Sequence, residues 1–358
     1  MLHIEQKSKL LIQQAYDRQA TDIHIVPRRK DALIRLRINQ QLLEYEIVTK
    51  SSCEKLISHF KFRAGMDIGE KRRPQSGSMD FINHNCHLHL RISSIPTPFQ
   101  ESLAIRILPQ EQTLSLKALS LFPKHTNQLF SFLKRANGLL LLTGPTGSGK
   151  TTTLYSLLHS IKELFPRNII TIEDPIEKKT DDFLQIEINE KAGITYTEAL
   201  RSILRHDPDI IMIGEIRDAK TAELAVRSAL TGHLVLATLH AKDTIGALHR
   251  LTDLNIPLID LEQTLLAVVS QRLVNVTCPY CGGSCHPLCI QLIKKNRYSL
   301  YEILAGDALK SRFDLLNGNI GEQIPYDTLE KGIKRGIALG FLHQSYYEKY
   351  IGEKNEKR

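Results

Sequence analysis

The stretch GPTGSGKT, residues 144–151, restricts the fold of this chain more than any other. It fits the pattern G-x-x-x-x-G-K-[ST], and its context fits as well: strand-like LLLLT precedes it and helix-compatible TTLYSLLHSIKELF follows. A glycine-rich turn between strand and helix curls backbone N–H groups around phosphate oxygens, and the helix N-terminus adds its positive end. Lys150 is then placed to reach the β- and γ-phosphates, with the Thr151 hydroxyl as a ligand to Mg²⁺. Gly144, Pro145, Thr146, Gly147, Ser148, Gly149, Lys150, Thr151 and Thr152 form the expected nucleoside triphosphate cradle.

Three more short apolar runs follow, NIITI (168–172), DIIMI (209–213) and HLVLATL (233–239), each separated from the next by helix-compatible sequence. Such alternation predicts an α/β fold with a mainly parallel, doubly wound sheet. In open sheets of this kind the ligand sits beyond the carboxyl ends of the strands. The runs end in EDPIE, GEIRD and His240, so four motifs are expected on one rim. Positioning and charge neutralisation do most of the work in phosphoryl transfer. Glu215, just past its strand, is expected to polarise the attacking water. Asp207 and Asp209 flank Pro208 at the entry end of that strand and suit a turn. His233 and His240 are seven residues apart, about 23 Å along an extended strand. His240, at the rim end, is the better γ-phosphate sensor; His233 suits packing or an interface. The EDPIE box places Glu173, Asp174 and Glu177 within five residues. Their crowding predicts a nearby cation, and Pro175 favours a bent loop over a helix there.

The organisation predicted along the chain is a small α/β domain over 1–108, a linker over 109–117, a nucleotide-binding domain over 118–275, and a cysteine-containing, mainly helical region over 276–358. In the first part a helix, LLIQQAYDRQA, leads into DIHIVP, ALIRLRINQQLLEY, SMDFINHNCHLHLRISS and LAIRIL, where arginines interleave with apolar residues in the period-2 pattern of strands. Beyond about 255 the chain reads as helical. With 42% apolar and 24% charged residues, the 358-residue chain has ordinary globular composition, and no apolar run is long enough to span a bilayer. A soluble cytoplasmic protein is the expectation. The net charge of +8 allows attraction to nucleic acid or an anionic membrane surface, but is also common among proteins that bind only nucleotides. No basic run is interleaved with aromatics as a single-strand-binding face would be.

Taken together, GPTGSGKTTT, TIEDPIE, LRHDPDIIMIGEIRD and TGHLVLATLH resemble the Walker A, Asp box, Walker B and His box of the type II secretion and type IV pilus ATPase superfamily. DIHI, RLRIN, KRRPQSGSMDF, LRISSIPT and LAIRILP resemble the small domain that precedes the motor in that superfamily, so the resemblance covers about residues 15–280. The short N-terminal part is most similar to the competence-pilus ATPases of Gram-positive bacteria. The resemblance implies a PAS-like small domain, a RecA-like P-loop domain with a helical C-terminal extension, and hexameric rings with nucleotide between the two domains. It further implies Glu177 and Glu215 as paired catalytic carboxylates with Glu173 close by, and Arg91 and Arg106 as arginines that reach the phosphates. A planar, permanently charged fork suits developing phosphate charge; the alternative is that both arginines are merely outward-facing strand residues. The pattern departs in two places: TLHAKD stands where TLHTN is usual, and Gln100-Glu101-Ser102 where Gly-Glu-Lys is usual.

CPYCGGSCHPLC places Cys278, Cys281, Cys285 and Cys289 at C-x₂-C-x₃-C-x₃-C spacing. A reducing cytosol disfavours disulfides. Four thiolates suit a closed, structural Zn²⁺ site, with His286 able to replace one thiolate; buried free thiols are the alternative. Several assembly ATPases of the superfamily carry a tetracysteine metal site, with a longer loop between two CxxC pairs. The leading expectation is an ATP- and Mg²⁺-dependent hexameric ATPase at the inner face of the membrane, docked on an integral-membrane platform protein and driving pseudopilus assembly for DNA uptake. An ATP-dependent nucleic-acid motor and a nucleotide-switched scaffold are the competing readings, with pilus retraction as a variant of the first. The missing stacking face argues against the nucleic-acid motor, and the intact Glu177, Glu215 and His240 argue against the scaffold.

Overall fold

The computed structural model describes residues 4–38, 41–83, 86–110, 114–282, 297–319 and 324–351. The chain forms two compact units, Met1–Gln112 with Glu177–Lys179, and Thr113–Ile176 with Thr180–Arg358.

The first unit packs two helices, α1 (Ile4–Asp17) and α2 (Lys50–Arg63), with a six-stranded antiparallel sheet. Its strands are β1 (Asp22–Pro27), β2 (Ala32–Ile38), β3 (Gln41–Val48), β4 (Gln75–Asn83), β5 (Cys86–Thr97) and β6 (Gln100–Pro109), in the order β3-β2-β1-β6-β5-β4. ALIRLRINQQLLEY and SMDFINHNCHLHLRISS, each read as one run of strand, are antiparallel pairs. The period-2 pattern assigns the faces. Ile23 and Ile25 of β1, Ile34 and Leu36 of β2, Leu88, Leu90 and Ile92 of β5, and Leu103, Ile105 and Ile107 of β6 share one buried cluster with Leu11, Ile12, Leu56 and Phe60 of the helices. Arg91 and Arg106 alternate with those residues and so lie on the opposite face of the sheet.

The hairpin joining β5 and β6 explains one departure noted above. Gln100 has φ 118°, a conformation that costs little for glycine and is strained for a residue with a Cβ. This backbone conformation suits the glycine that is usual here. The next residue, Glu101, is almost fully buried and pairs with the equally buried Lys61 at 2.7 Å, while Lys61 also donates to the Glu70 carbonyl at 2.7 Å.

In the second unit a seven-stranded sheet runs β13-β12-β7-β11-β10-β8-β9. The strands are β7 (Gly138–Thr143), β8 (Ile169–Glu173), β9 (Leu184–Glu187), β10 (Ile210–Ile213), β11 (Leu234–Leu239), β12 (Leu265–Asn275) and β13 (Arg297–Ala305). All neighbours are parallel except β12 and β13. The helices are α3 (Leu116–Leu119), α4 (Pro123–Phe132), α5 (Lys150–Lys162), α6 (Tyr196–Ile203), α7 (Ala219–Leu230), α8 (Thr244–Asp253), α9 (Leu258–Thr264), α10 (Gly306–Leu316), α11 (Leu329–Ala338) and α12 (Ser345–Tyr350). Leu139 and Leu141 of β7 face a cluster built with α6 to α10, whereas Leu140 and Leu142 face one built with α3, α4 and α5. Both faces being covered, the strands read as unbroken apolar runs.

The helical reading of the chain beyond about 255 holds for α9 and for α10 to α12 and fails for β12 and β13. LLAVVSQRLVN is buried on both faces at most positions and shows no alternation, so periodicity alone did not mark it as a strand. Its valines, Val268, Val269 and Val274, are β-favouring residues that suit the strand it forms. Among the described residues no helix is long and apolar enough to cross a membrane.

The Lys61–Glu101 pair generates a stability prediction. Glu101→Ala leaves Lys61 buried without its carboxylate and is expected to cost about 3–5 kcal/mol. Replacing both residues together, Lys61→Met with Glu101→Leu, is expected to recover most of that loss in urea unfolding.

Candidate active site

The carboxyl ends of β7, β11, β10 and β8 lie at one rim, because their registers match Thr143 with Leu239, and Ile213 with both Ala237 and Ile172. The glycine-rich loop leaves β7 there and enters α5. Gly144 has φ 142°, and a Cβ on it would meet the Gln271 carbonyl of β12 at 2.6 Å. Glycine is thus required both by the backbone and by the neighbouring strand. Gly149, at φ 87°, caps α5.

Lys150 is buried and donates to the carbonyls of Gly144 at 2.8 Å and Pro145 at 3.2 Å, which holds its ammonium over the loop. The Ser148 hydroxyl is buried with no hydrogen-bond partner among the described residues. The position of a Cβ on Gly147 faces open space. An orphaned hydroxyl, a helix N-terminus and a loop-bound ammonium together suit the oxygens of a polyphosphate. Thr151 stands in the first turn of α5, as a hydroxyl ligand to a phosphate-bound cation requires, and Thr152 follows it, exposed.

His240 follows β11. Its Nδ1 is 3.2 Å from the Gly144 carbonyl and its Nε2 is 3.0 Å from Glu215 Oε1. The same Gly144 carbonyl accepts Lys150, so the residues expected as phosphate ligand and γ-phosphate sensor meet on one backbone atom, with the water-activating carboxylate Glu215 bound to the sensor. His233 lies at the far end of β11, where Nδ1 is 3.0 Å from the Ser228 carbonyl, a packing contact. Asp209 caps the entry end of β10 by accepting from Asn168 N at 2.7 Å, a turn role.

The acidic box also meets a cation of the chain itself. Arg217, in GEIRD, donates from Nε to Glu215 at 2.8 Å and from Nη1 to Asp174 at 2.9 Å. The hydrogen bond from Arg217 to Glu215, followed by the field of both carboxylates, pushes the guanidinium pKa further up. The Asp174–Pro175 bond is cis, and the segment is a bend rather than a helix. Glu173 is buried at the end of β8, where Oε1 accepts from Tyr155 of α5 at 2.7 Å and from Thr171 at 2.9 Å. Tyr196 of α6 packs behind the acids; burial first, then Asp174, raises its pKa and keeps the phenol protonated. Arg217, Tyr155 and Tyr196 went unnoticed because arginines and tyrosines carry no motif spacing of their own.

At the second departure from the family pattern, TLHAKD, the loop is held through backbone groups. The Thr143 hydroxyl accepts from Ala241 N at 2.9 Å and donates to Ala241 O at 3.2 Å. Neither contact requires threonine or asparagine side chains at 241 and 242.

Arg91, Arg106 and Glu177 belong to the first unit. Arg91 and Arg106 are register partners on β5 and β6, and Arg106 Nε donates to Asp22 at 3.0 Å. The Glu177 carbonyl accepts from Gln110 at 3.0 Å. Cys278 is buried and Cys281 exposed. Cys285 and Cys289 lie outside the described residues, as does His286. Among the described residues no group of three or more His, Cys, Asp or Glu side chains is arranged to hold a metal.

Residues 2–322 match the family model described as "Type II/IV secretion system protein". Competence protein ComGA of Bacillus subtilis is 50% identical over 349 residues, 97% of this chain and 98% of the relative. Competence protein ComGA of Halalkalibacterium halodurans is 44% identical, covering 96% and 98%. Among solved structures, the pilus retraction motor PilT with bound ADP superposes with a TM-score of 0.68 at 25% identity, covering 98% of this chain and 99% of that one.

The crowding at Gly144 gives a direct test of the loop geometry. Gly144→Ala is expected to lose roughly 2 kcal/mol or more in urea unfolding, together with a greater than tenfold loss of ATP affinity by calorimetry.

Proposed function

This chain belongs to the type II/IV secretion system protein family, and from that premise we propose that it is an ATP hydrolase powering assembly of a competence pseudopilus for DNA uptake. The observation that carries the reading is the convergence of Lys150, His240 and, through His240, Glu215 on the Gly144 carbonyl. The near full-length match to the two ComGA proteins supports the competence role.

In this reading the loop Gly144–Thr151 and Thr152 hold the triphosphate, and Lys150 neutralises the β- and γ-phosphates. Thr151 is the hydroxyl ligand to Mg²⁺, which would balance charge on the phosphoryl oxygens. Glu215 polarises the attacking water, His240 senses the γ-phosphate, and Arg217 holds Glu215 and Asp174 in place. Glu173 keeps α5 and β8 in register through Tyr155. Arg91, Arg106 and Glu177 complete the site when the protein assembles as a hexamer, and hydrolysis alters the disposition of its two units. The protein works in the cytoplasm at the inner face of the membrane, on an integral-membrane platform protein.

A structural Zn²⁺ held by Cys278, Cys281, Cys285 and Cys289 is part of the proposal. Cys278 Sγ accepts from Tyr280 N at 3.4 Å, the kind of backbone-to-sulfur contact that suits a metal-bound thiolate. One zinc per chain by elemental analysis is the expected result, with a lower melting temperature after chelation; a zinc-free protein of unchanged stability contradicts it.

Steady-state turnover tests the main reading. Wild type is expected to hydrolyse ATP, with Glu215→Gln slower by about a hundredfold or more and Lys150→Ala inactive. The rate should be insensitive to added DNA, and the mass in solution with ATP should be that of a hexamer. Equal rates for wild type and Glu215→Gln would sink the assigned chemistry, and DNA-dependent turnover with steep salt dependence would favour a nucleic-acid motor.

A further inference from the structure

The loop from His240 to Asp243, between β11 and α8, is held from three neighbouring strands. On β7 the Thr143 hydroxyl binds both polar backbone groups of Ala241. On β12 Arg272 Nη2 donates to the Lys242 carbonyl at 2.5 Å, and its Nη1 donates to the Gln271 carbonyl at 2.9 Å, beside Gly144. On β13 Glu302 Oε1 accepts from Thr244 N at 3.2 Å and from the Thr244 hydroxyl at 2.5 Å.

Glu302 does more than close the loop. It is 5% exposed, and its second oxygen, Oε2, accepts from Leu329 N at 3.0 Å. Thr244 and Leu329 are the first residues of α8 and α11. One buried carboxylate therefore satisfies an N–H at the start of two helices, where unpaired donors and the positive helix ends favour a negative charge. Tyr326 OH adds a weaker contact at 3.4 Å. All these groups are neutral, and the backbone N–H groups of Thr244 and Leu329, one on each oxygen, fit a carboxylate oxygen and not an amide nitrogen.

We infer that Glu302 is a positioning residue for ATP hydrolysis, acting through the loop His240–Asp243 to hold His240 against Glu215 and Gly144. The inference rests on the hydrolase reading and adds a residue outside the rim motifs. Its reasoning is geometric. The backbone of His240 is fixed on one side by the end of β11 and on the other by the clamped loop that runs into α8, and its ring meets Gly144 and Glu215. Glu302 is the anchor at the α8 end. The same carboxylate fastens α11, so the C-terminal helices and the histidine share one attachment point.

The test uses the full chain. Glu302→Gln keeps the volume but turns an amide nitrogen toward an N–H donor. It is expected to lower kcat about tenfold, because small misplacements of a reacting geometry are expensive, while KM for ATP stays within about twofold. In a His240→Ala background, adding Glu302→Gln should cause no further loss of kcat, since both act through one group. Thr244→Val, which removes only the hydroxyl donor, should lower kcat by a smaller factor in the same sense. A folded Glu302→Gln protein with wild-type kcat, or a full additional loss in the His240→Ala background, overturns the inference. If Glu302→Gln does not fold, wild-type kcat in Thr244→Val overturns it. Absence of turnover in wild type would instead overturn the hydrolase reading itself, and this inference with it.

Discussion

The phosphate end of this protein depends on the burial of a parallel sheet on both faces. β7, β8, β10 and β11 have no polar face, since α3 to α5 cover one side and α6 to α9 the other. Polar side chains that do chemistry must then sit at strand ends, and parallel strands bring like ends together. The close approach of β12 to β7 adds the second constraint. With the Gln271 carbonyl against Gly144, the loop has one way to leave its strand, and Lys150 and His240 both meet the carbonyl that this exit exposes.

Charge at the rim is partly offset within the chain. Asp174 and Glu215 come from different strands, and the Arg217 fork joins them. Glu215 is thus held by a guanidinium on one oxygen and an imidazole on the other, an arrangement that fixes its orientation. Glu173, adjacent in sequence to Asp174, is treated differently: it is buried and bonded by hydroxyls, tying the helix after the glycine-rich loop to β8. Neighbouring acids in one motif therefore have separate jobs, decided by which way each points.

The first unit carries its own instance of the same logic. Its sheet has a core face and a face bearing Arg91 and Arg106 in register, the period of two separating them from their apolar neighbours. Glu101, the carboxylate of its buried pair with Lys61, directly follows the strained Gln100 at one hairpin.

Much of the fold was legible in residue pattern alone. The strand–glycine loop–helix unit, the alternating arginines of the small sheet and the four polar strand ends each depend on local spacing, and local spacing survives folding. β12 was not legible, because a strand buried on both faces loses the alternation that would mark it. Arg217 stands two residues from Glu215, yet its role depends on Asp174, brought beside it by the pairing of β8 with β10. Glu302 is further still from any motif, and only the antiparallel return of β13 places it under two helix ends. By itself the sequence determined which groups could hold phosphate and where strands must end, since these follow from residue type and short-range periodicity. Tertiary structure alone decided which charges meet, because ion pairs and helix-end contacts join residues that only sheet registration brings within hydrogen-bond reach.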